Sequence, residues 1–163
     1  MARVYVGVGS NINPEQNICK GIQTLRERFG VLMLSPVYES EAVGFTGDNF
    51  YNLVIGFDSD ESHGEIAAAL YEIETRFGRN RDTGHLSSRT LDLDLLLYGN
   101  LVTQEDNLRL PRGDVLEYAF VLKPLAELAG DLVHPVVKRS YRDLWSSFDR
   151  PGQRLWQVDI AVD

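Results

Sequence analysis

An α+β fold is predicted by two features of this sequence. Short runs rich in β-branched and aromatic residues alternate with two stripes of apolar residues at helical spacing, and glycine- or asparagine-containing turns divide them. Up to residue 100 the elements follow the order βαββαβ, the split βαβ or ferredoxin-like arrangement, with two helices on one face of an antiparallel sheet and the other face partly free. A C-terminal extension of short strands and helices completes the expected architecture.

The first strand runs through Val4, Tyr5, Val6, Gly7 and Val8 and stops at the turn residues Gly9-Ser10-Asn11. Asn13 is placed to cap a helix and Pro14 suits its first position, after which Ile18, Ile22, Leu25 and Phe29 recur until Gly30 ends the pattern. A continuous strand is expected from Val31 to Tyr38 and another from Phe50 to Phe57, paired as a hairpin around a long mobile loop. Ser62 and Glu65 form a capping box, and Ile66, Leu70, Ile73 and Phe77 mark the buried stripe of a second helix. An arginine-rich loop leads into a strand from Leu91 to Tyr98, closed by Gly99-Asn100. Beyond it, a strand pair is expected near Leu101-Val102 and Arg109-Leu110, then a helix from about Ala119 to Leu128 and a short helix after Ser140.

The chain has 163 residues, 44% hydrophobic and 25% charged, the balance of one domain with its own core, so a single domain over residues 1–163 is expected. A formal net charge of −8 opposes general nucleic-acid binding, because such affinity comes from cationic residues releasing counterions, so any phosphate site must be a local concentration of arginines. Cys19 is the single cysteine and reads as a small apolar residue beside the first helical stripe, with no disulfide framework to join. The N-terminus lacks a secretory pattern, and no apolar run approaches the roughly 18 residues of a membrane span. A soluble, cytoplasmic protein is expected, without membrane partners.

The stretch Arg89-Thr90-Leu91-Asp92-Leu93-Asp94-Leu95 carries the chemistry. In a strand, alternate side chains share a face, so Asp92 and Asp94 project together while Leu91, Leu93 and Leu95 enter the core. Their Cα atoms stand roughly 6.6 Å apart, which lets the carboxylate oxygens converge on one or two hard cations such as magnesium. Arg76, Arg79, Arg81 and Arg89 precede the pair, and Arg109 and Arg112 are placed to close the site from the opposite side. Guanidinium forks grip phosphate oxygens in pairs and stay charged at neutral pH, and transfer of phosphoryl groups needs little beyond such positioning and neutralisation. No P-loop is present, and Gly7-Val8-Gly9 lacks the third glycine of a dinucleotide fingerprint. His63, His85 and His134 have no zinc-ligand spacing and read as surface or turn residues.

Taken in order, Gly9-Ser10-Asn11, Tyr38, Phe50-Tyr51-Asn52, Glu74, Gly78-Arg79-Asn80-Arg81, Arg89 to Asp94, Gly99-Asn100, Pro111, Phe120 and Lys123-Pro124-Leu125 make the chain resemble the 6-hydroxymethyl-7,8-dihydropterin pyrophosphokinases. The resemblance implies transfer of diphosphate from ATP to the hydroxymethyl group of a reduced pterin, leaving AMP, as a step of folate synthesis. It implies that Asp92 and Asp94 hold two magnesium ions, and that Arg79 and Arg89 join them as catalytic groups. ATP is implied as co-substrate, bound by Glu74, Arg79, Arg81, Arg89, Leu95, Arg109 and Arg112. The implied pterin slot has Asn52 hydrogen-bonded to the heterocycle, Phe50 and Phe120 stacked on its faces, and Asn11, Ser40 and Val43 at its rim. Small molecules are then the expected partners, with no nucleic acid, and the chain is expected to be a monomer.

The chain departs from the family pattern at several points. Leu86-Ser87-Ser88 stands where tryptophan, glycine and proline are usual, Arg112 where histidine is, Ser40-Glu41 where threonine and proline are, and Tyr118 where arginine often is. Two other readings of the same residues are a non-catalytic pterin- or nucleotide-binding relative and a metal-dependent nuclease or phosphohydrolase. The mobile loops at 44–49 and 79–88 would close over bound substrates.

Overall fold

A computed structural model describes residues 1–42, 47–78, 90–105 and 107–162. Strand β1 (Ala2–Ser10) leads through helix α1 (Pro14–Phe29) to β2 (Met33–Leu34), β3 (Val37–Ser40) and β4 (Phe50–Ser59). Helix α2 (His63–Arg76) then crosses to β5 (Asp92–Tyr98). The strand order β5-β1-β4-β3, antiparallel at every pairing, is the expected ferredoxin-like core, and β2 pairs with β4 beyond β3.

One face of the sheet carries Val4, Val6, Val8, Leu53, Ile55, Phe57, Leu93 and Leu95, and it buries them against Ile18, Ile22 and Leu25 of α1 and Ile66, Leu70 and Ile73 of α2. Period-two strands thus meet period-3.6 helices, and each fully buried leucine or isoleucine contributes roughly 1.5–3 kcal/mol of transfer free energy. The capping box is formed as expected: Glu65 N–H donates to Ser62 Oγ, and Ser62 N–H donates to Glu65 Oε1.

The structure corrects several expectations. Asn13 is left-handed (φ 42) and makes no side-chain cap; the Asn17 amide instead donates to the Ile12 carbonyl. The strand expected from Val31 to Tyr38 is broken at Ser35-Pro36, because the proline has no N–H and Val54 N–H donates to the Ser35 hydroxyl instead of to a ladder carbonyl. The strand pair beyond residue 100 lies two residues later than expected on its first arm, as β6 (Thr103–Glu105) and β7 (Leu108–Leu110).

The second face is not left free along its whole length. After α3 (Asp114–Glu117), helix α4 (Ala119–Ala129) lays Val121, Leu122 and Leu125 over Tyr5, Val54 and Leu97, and α5 (Tyr141–Ser146) adds Tyr141 to this second core. A last strand, β8 (Leu155–Val158), pairs antiparallel with β3 and covers that edge of the sheet. The residues after it reach α1, where Cys19 Sγ donates to the Ala161 carbonyl at 2.9 Å and Arg26 donates to that of Val162. No helix among the described residues is long and apolar enough to cross a membrane.

Candidate active site

Three strands build the site on the face that α4 covers, further along than its contact. In β5, Leu93 and Leu95 are buried against α1 and α2, while Asp92 and Asp94 are half-buried on the opposite face. The register aligns Asp92 with Gly9 of β1, Gly9 with Asn52 of β4, and Asn52 with Tyr38 of β3. The next row is Asp94, Gly7, Val54. Two strand spacings, roughly 10 Å, separate the Asp92 backbone from that of Asn52, and because the β1 residue between them is glycine the Asn52 carboxamide leans over it. Glycines at alternate positions of a central strand mark close approach of another group, and Gly7 and Gly9 carry no expected site role in the sequence, although Gly9 opens the first motif of the family resemblance.

Charge is concentrated at the acidic end of this row. Burial, and then the neighbouring Asp92, push the Asp94 carboxyl up to about 8; Arg112 opposes the shift, while Asp114 and Glu74 add to it. Arg112 Nη2 lies 3.5 Å from Asp94 Oδ1, and its Nε lies 3.3 Å from Asp114 Oδ2. Burial works against the Arg112 charge, but Asp94 and Asp114 outweigh it, so its proton is held more firmly than usual. The backbone N–H of Arg112 donates to the Leu96 carbonyl at 2.9 Å, which seats the residue beside β5. Its buried Nε faces Asp114 as an ion pair, without a well-formed hydrogen bond among the described residues.

This chemistry fits a hard divalent cation. Two carboxylates share a face, and burial together with the charge of Asp92 raises the Asp94 carboxyl, a cost that a divalent cation would offset. Among the described residues no group of three His, Cys, Asp or Glu side chains could hold a metal by itself, so a cation here would take further ligands from water or a bound phosphate.

The remaining expected site residues divide by position. Ser40 and Phe50 are direct partners across β3 and β4, and Phe50 shares the sheet face of Asn52, which is 9% exposed. Phe120, in the first turn of α4, stacks on Tyr118 with ring centroids 5.1 Å apart. Asn11 is buried and its amide donates to the Asp48 carbonyl at 3.1 Å, tying the end of β1 to the segment before β4. Glu74 is buried in α2, where Oε2 accepts from Leu93 N–H at 2.8 Å, between the two aspartates. The Leu95 side chain lies in the α1/α2 core, so it does not reach the carboxylate face. Arg109 is exposed on β7, its guanidinium close to Gly113. Val43, Arg79, Arg81, Arg89 and the 86–88 segment lie outside the described residues, as does His85.

Three further side chains meet beside β3: Tyr38 and Lys123, which carry the family resemblance without an expected site role, and Glu127, which no motif signals. The Tyr38 hydroxyl donates to Glu127, Lys123 Nζ lies 3.5 Å from Glu127 Oε1, and the ammonium sits 5.6 Å over the Tyr38 ring. Burial raises the Glu127 carboxyl above its ordinary value. Only the i,i+4 spacing of Lys123 and Glu127 is visible in the sequence; their meeting with Tyr38 requires α4 to cross β3. His134 is a buried turn residue: its Nδ1 accepts from Val136 and Val137 N–H, which leaves it no role as a ligand through that atom.

Comparison with known proteins gives a consistent result. A family model described as 7,8-dihydro-6-hydroxymethylpterin-pyrophosphokinase (HPPK) matches residues 5–130. The 2-amino-4-hydroxy-6-hydroxymethyldihydropteridine pyrophosphokinase of Aquifex aeolicus is 30% identical over 145 residues, covering 88% of this chain and 90% of its own length. The Pseudomonas aeruginosa protein of the same name is 36% identical, covering 82% of this chain and 84% of its own. Among solved structures, a Plasmodium falciparum HPPK-DHPS superposes with a TM-score of 0.67 at 13% identity, covering 90% of this chain and 43% of that longer one.

Proposed function

The chain belongs to the 7,8-dihydro-6-hydroxymethylpterin-pyrophosphokinase family, and from that membership we propose that it transfers diphosphate from ATP to the hydroxymethyl group of 6-hydroxymethyl-7,8-dihydropterin, releasing AMP, in folate synthesis. The hydroxymethyl oxygen forms a bond to the β-phosphorus as the bond from that phosphorus to the oxygen shared with the α-phosphate breaks; AMP leaves with that oxygen, and the hydroxyl proton is released to solvent. The observation that supports the reading is the row Asp92, Gly9, Asn52: an amide suited to a heterocycle leans over a glycine, and a carboxylate suited to metal-bound phosphate stands on the glycine's other side.

In this reading Asn52 hydrogen-bonds the pterin edge, Phe50 and Phe120 hold its faces, and Asn11, Ser40 and Val43 form the rim. Flat stacking with a few aimed polar groups is how proteins hold a planar heterocycle. The hydroxymethyl group then extends over Gly9 toward the aspartates. Two magnesium ions bound there would neutralise phosphate charge and align the triphosphate. Asp92 and Asp94 would be their ligands, and Arg79, Arg81, Arg89, Arg109 and Arg112 would grip the phosphate chain. The position of the Arg112 guanidinium beside Asp94 supports its part, because a planar fork there can reach a phosphate oxygen held at the aspartates. Glu74 acts by fixing the strand between the two aspartates. We further propose that residues 1–163 act as one domain, monomeric and cytoplasmic, where ATP and the reduced pterin meet.

The test is release of AMP from ATP and magnesium, with and without the reduced hydroxymethylpterin, using purified protein. AMP in step with pterin consumption is expected. Binding of pterin without AMP above the pterin-free control would support a non-catalytic relative instead.

A further inference from the structure

Helix α4 carries Phe120 in its first turn, yet its N-cap residue, Tyr118, offers no side-chain cap. The capping group comes from far along the chain. Gln153 Oε1 accepts from Ala119 N–H at 2.8 Å, and Gln153 Nε2 donates to the Glu117 carbonyl at 3.0 Å. Tyr118 is extended (φ −122, ψ 127), and in an extended residue the preceding carbonyl and the following N–H point to the same side. The Gln153 carboxamide therefore engages both, as a neighbouring strand would, and it fixes the joint between α3 and α4. It also satisfies a helix-terminal donor that otherwise has no partner within the helix.

The joint carries the Tyr118 and Phe120 rings, which stack at an interplanar angle of 25°. Two residues beyond Gln153, Leu155 pairs with Ser40 in the β8–β3 ladder. The segment from Gln153 to Leu155 thus joins α4 to the β3 rim, and with Lys123, Trp145 and Glu41 it lines an open cleft of about 600 Å³. Both the Gln153 amide and β8 lie beyond residue 130, where the match to the family model ends.

We propose that Gln153 is a positioning residue for pterin binding: by clamping the main chain on both sides of Tyr118, it holds Phe120 at the angle that stacks on the heterocycle. This rests on the assignment of Phe120 to the pterin slot. Among the described residues the Gln153 hydrogen bonds run to Glu117 and Ala119, away from Asp94 and Arg112, so its effect falls on the pterin and not on the nucleotide.

The test compares full-length wild type with Gln153→Met, which keeps the side-chain length and loses both hydrogen bonds, and with Gln153→Ala. Calorimetry would measure affinity for reduced hydroxymethylpterin and, separately, for magnesium with a nonhydrolysable ATP analogue; steady-state kinetics would give KM and kcat. The pterin Kd and KM should rise about tenfold, as expected for loss of paired hydrogen bonds at a partly buried joint, with the nucleotide Kd and kcat at saturation within about twofold. A pterin affinity unchanged in both variants would overturn the proposal, and so would an equal loss for both ligands, which is the mark of general destabilisation. If wild type binds no reduced pterin, the functional reading itself fails. If wild type binds pterin and Phe120→Ala weakens it while Gln153→Met does not, only the role of Gln153 fails.

Discussion

A Cβ added to Gly9 would stand 2.5 Å from Asn52 Oδ1, closer than any real contact of that kind. The glycine is therefore what allows the Asn52 amide its position beside β1. Gly9→Ala should turn the amide away and fill the floor between pterin and aspartates. Overpacking of this kind costs about 1–3 kcal/mol, and pterin KM should rise at least about tenfold while nucleotide affinity changes little. Titration of the two ligands separately checks it; an alanine variant with wild-type pterin affinity would remove Gly9 from the account.

Asp94→Ala should keep the fold, because the side chain is half-exposed, and should lower kcat by at least about a hundredfold through loss of a metal ligand. Full activity in this variant would refute the metal assignment.

The same carboxylate links stability to pH. Its folded-state value of about 8 lies above the value of about 3.9 for an unfolded aspartate, so the native state retains a proton that the unfolded chain releases. The stabilising contribution is whole below pH of about 4 and is lost as pH rises toward 8. Magnesium-free wild type should thus lose melting temperature relative to Asp94→Asn between pH 5 and 8, a range of about three units over which only wild type ionises here. Magnesium at pH 8 should restore wild type more than the variant. Parallel Tm curves for the two proteins would contradict the shift.

Asn52→Ala should weaken reduced pterin by about 1–3 kcal/mol, the range for a buried polar partner left unmade, with the ATP analogue bound nearly as before. Equal weakening of both ligands would count against the pterin slot.

Arg112→Ala should raise the ATP KM about tenfold or more, since charge-assisted hydrogen bonds contribute about 1.5–3 kcal/mol each. Arg112→Lys should recover only part of this, because an ammonium lacks the planar fork that reaches Asp94, Asp114 and a phosphate together. Complete rescue by lysine would reduce the role of Arg112 to bulk charge.

The ferredoxin-like core was legible because each element carries a local signal. Ile18, Ile22 and Leu25 at helical spacing, the Ser62/Glu65 box and the alternation through Leu91 to Leu95 each act within one turn or a few residues of strand. Strand β8 and helix α3 escaped notice because Leu155 to Val158 and Asp114 to Glu117 are too short to carry a period; their pairing partners supply the structure. The break at Ser35-Pro36 depended on Val54, nineteen residues away, offering its N–H to a serine hydroxyl.

By itself the sequence determined that Asp92 and Asp94 share a face, since alternation along a strand is a property of the backbone at any register. Its ordered motifs likewise determined the family. Only the tertiary structure decided that Gly9 lies between Asp92 and Asn52, that Arg112 and Asp114 stand beside Asp94, and that Gln153 holds the start of α4. These are relations between segments distant in the chain, set by strand register and by the packing of α4 on the sheet, and packing is resolved only when all the elements are buried together.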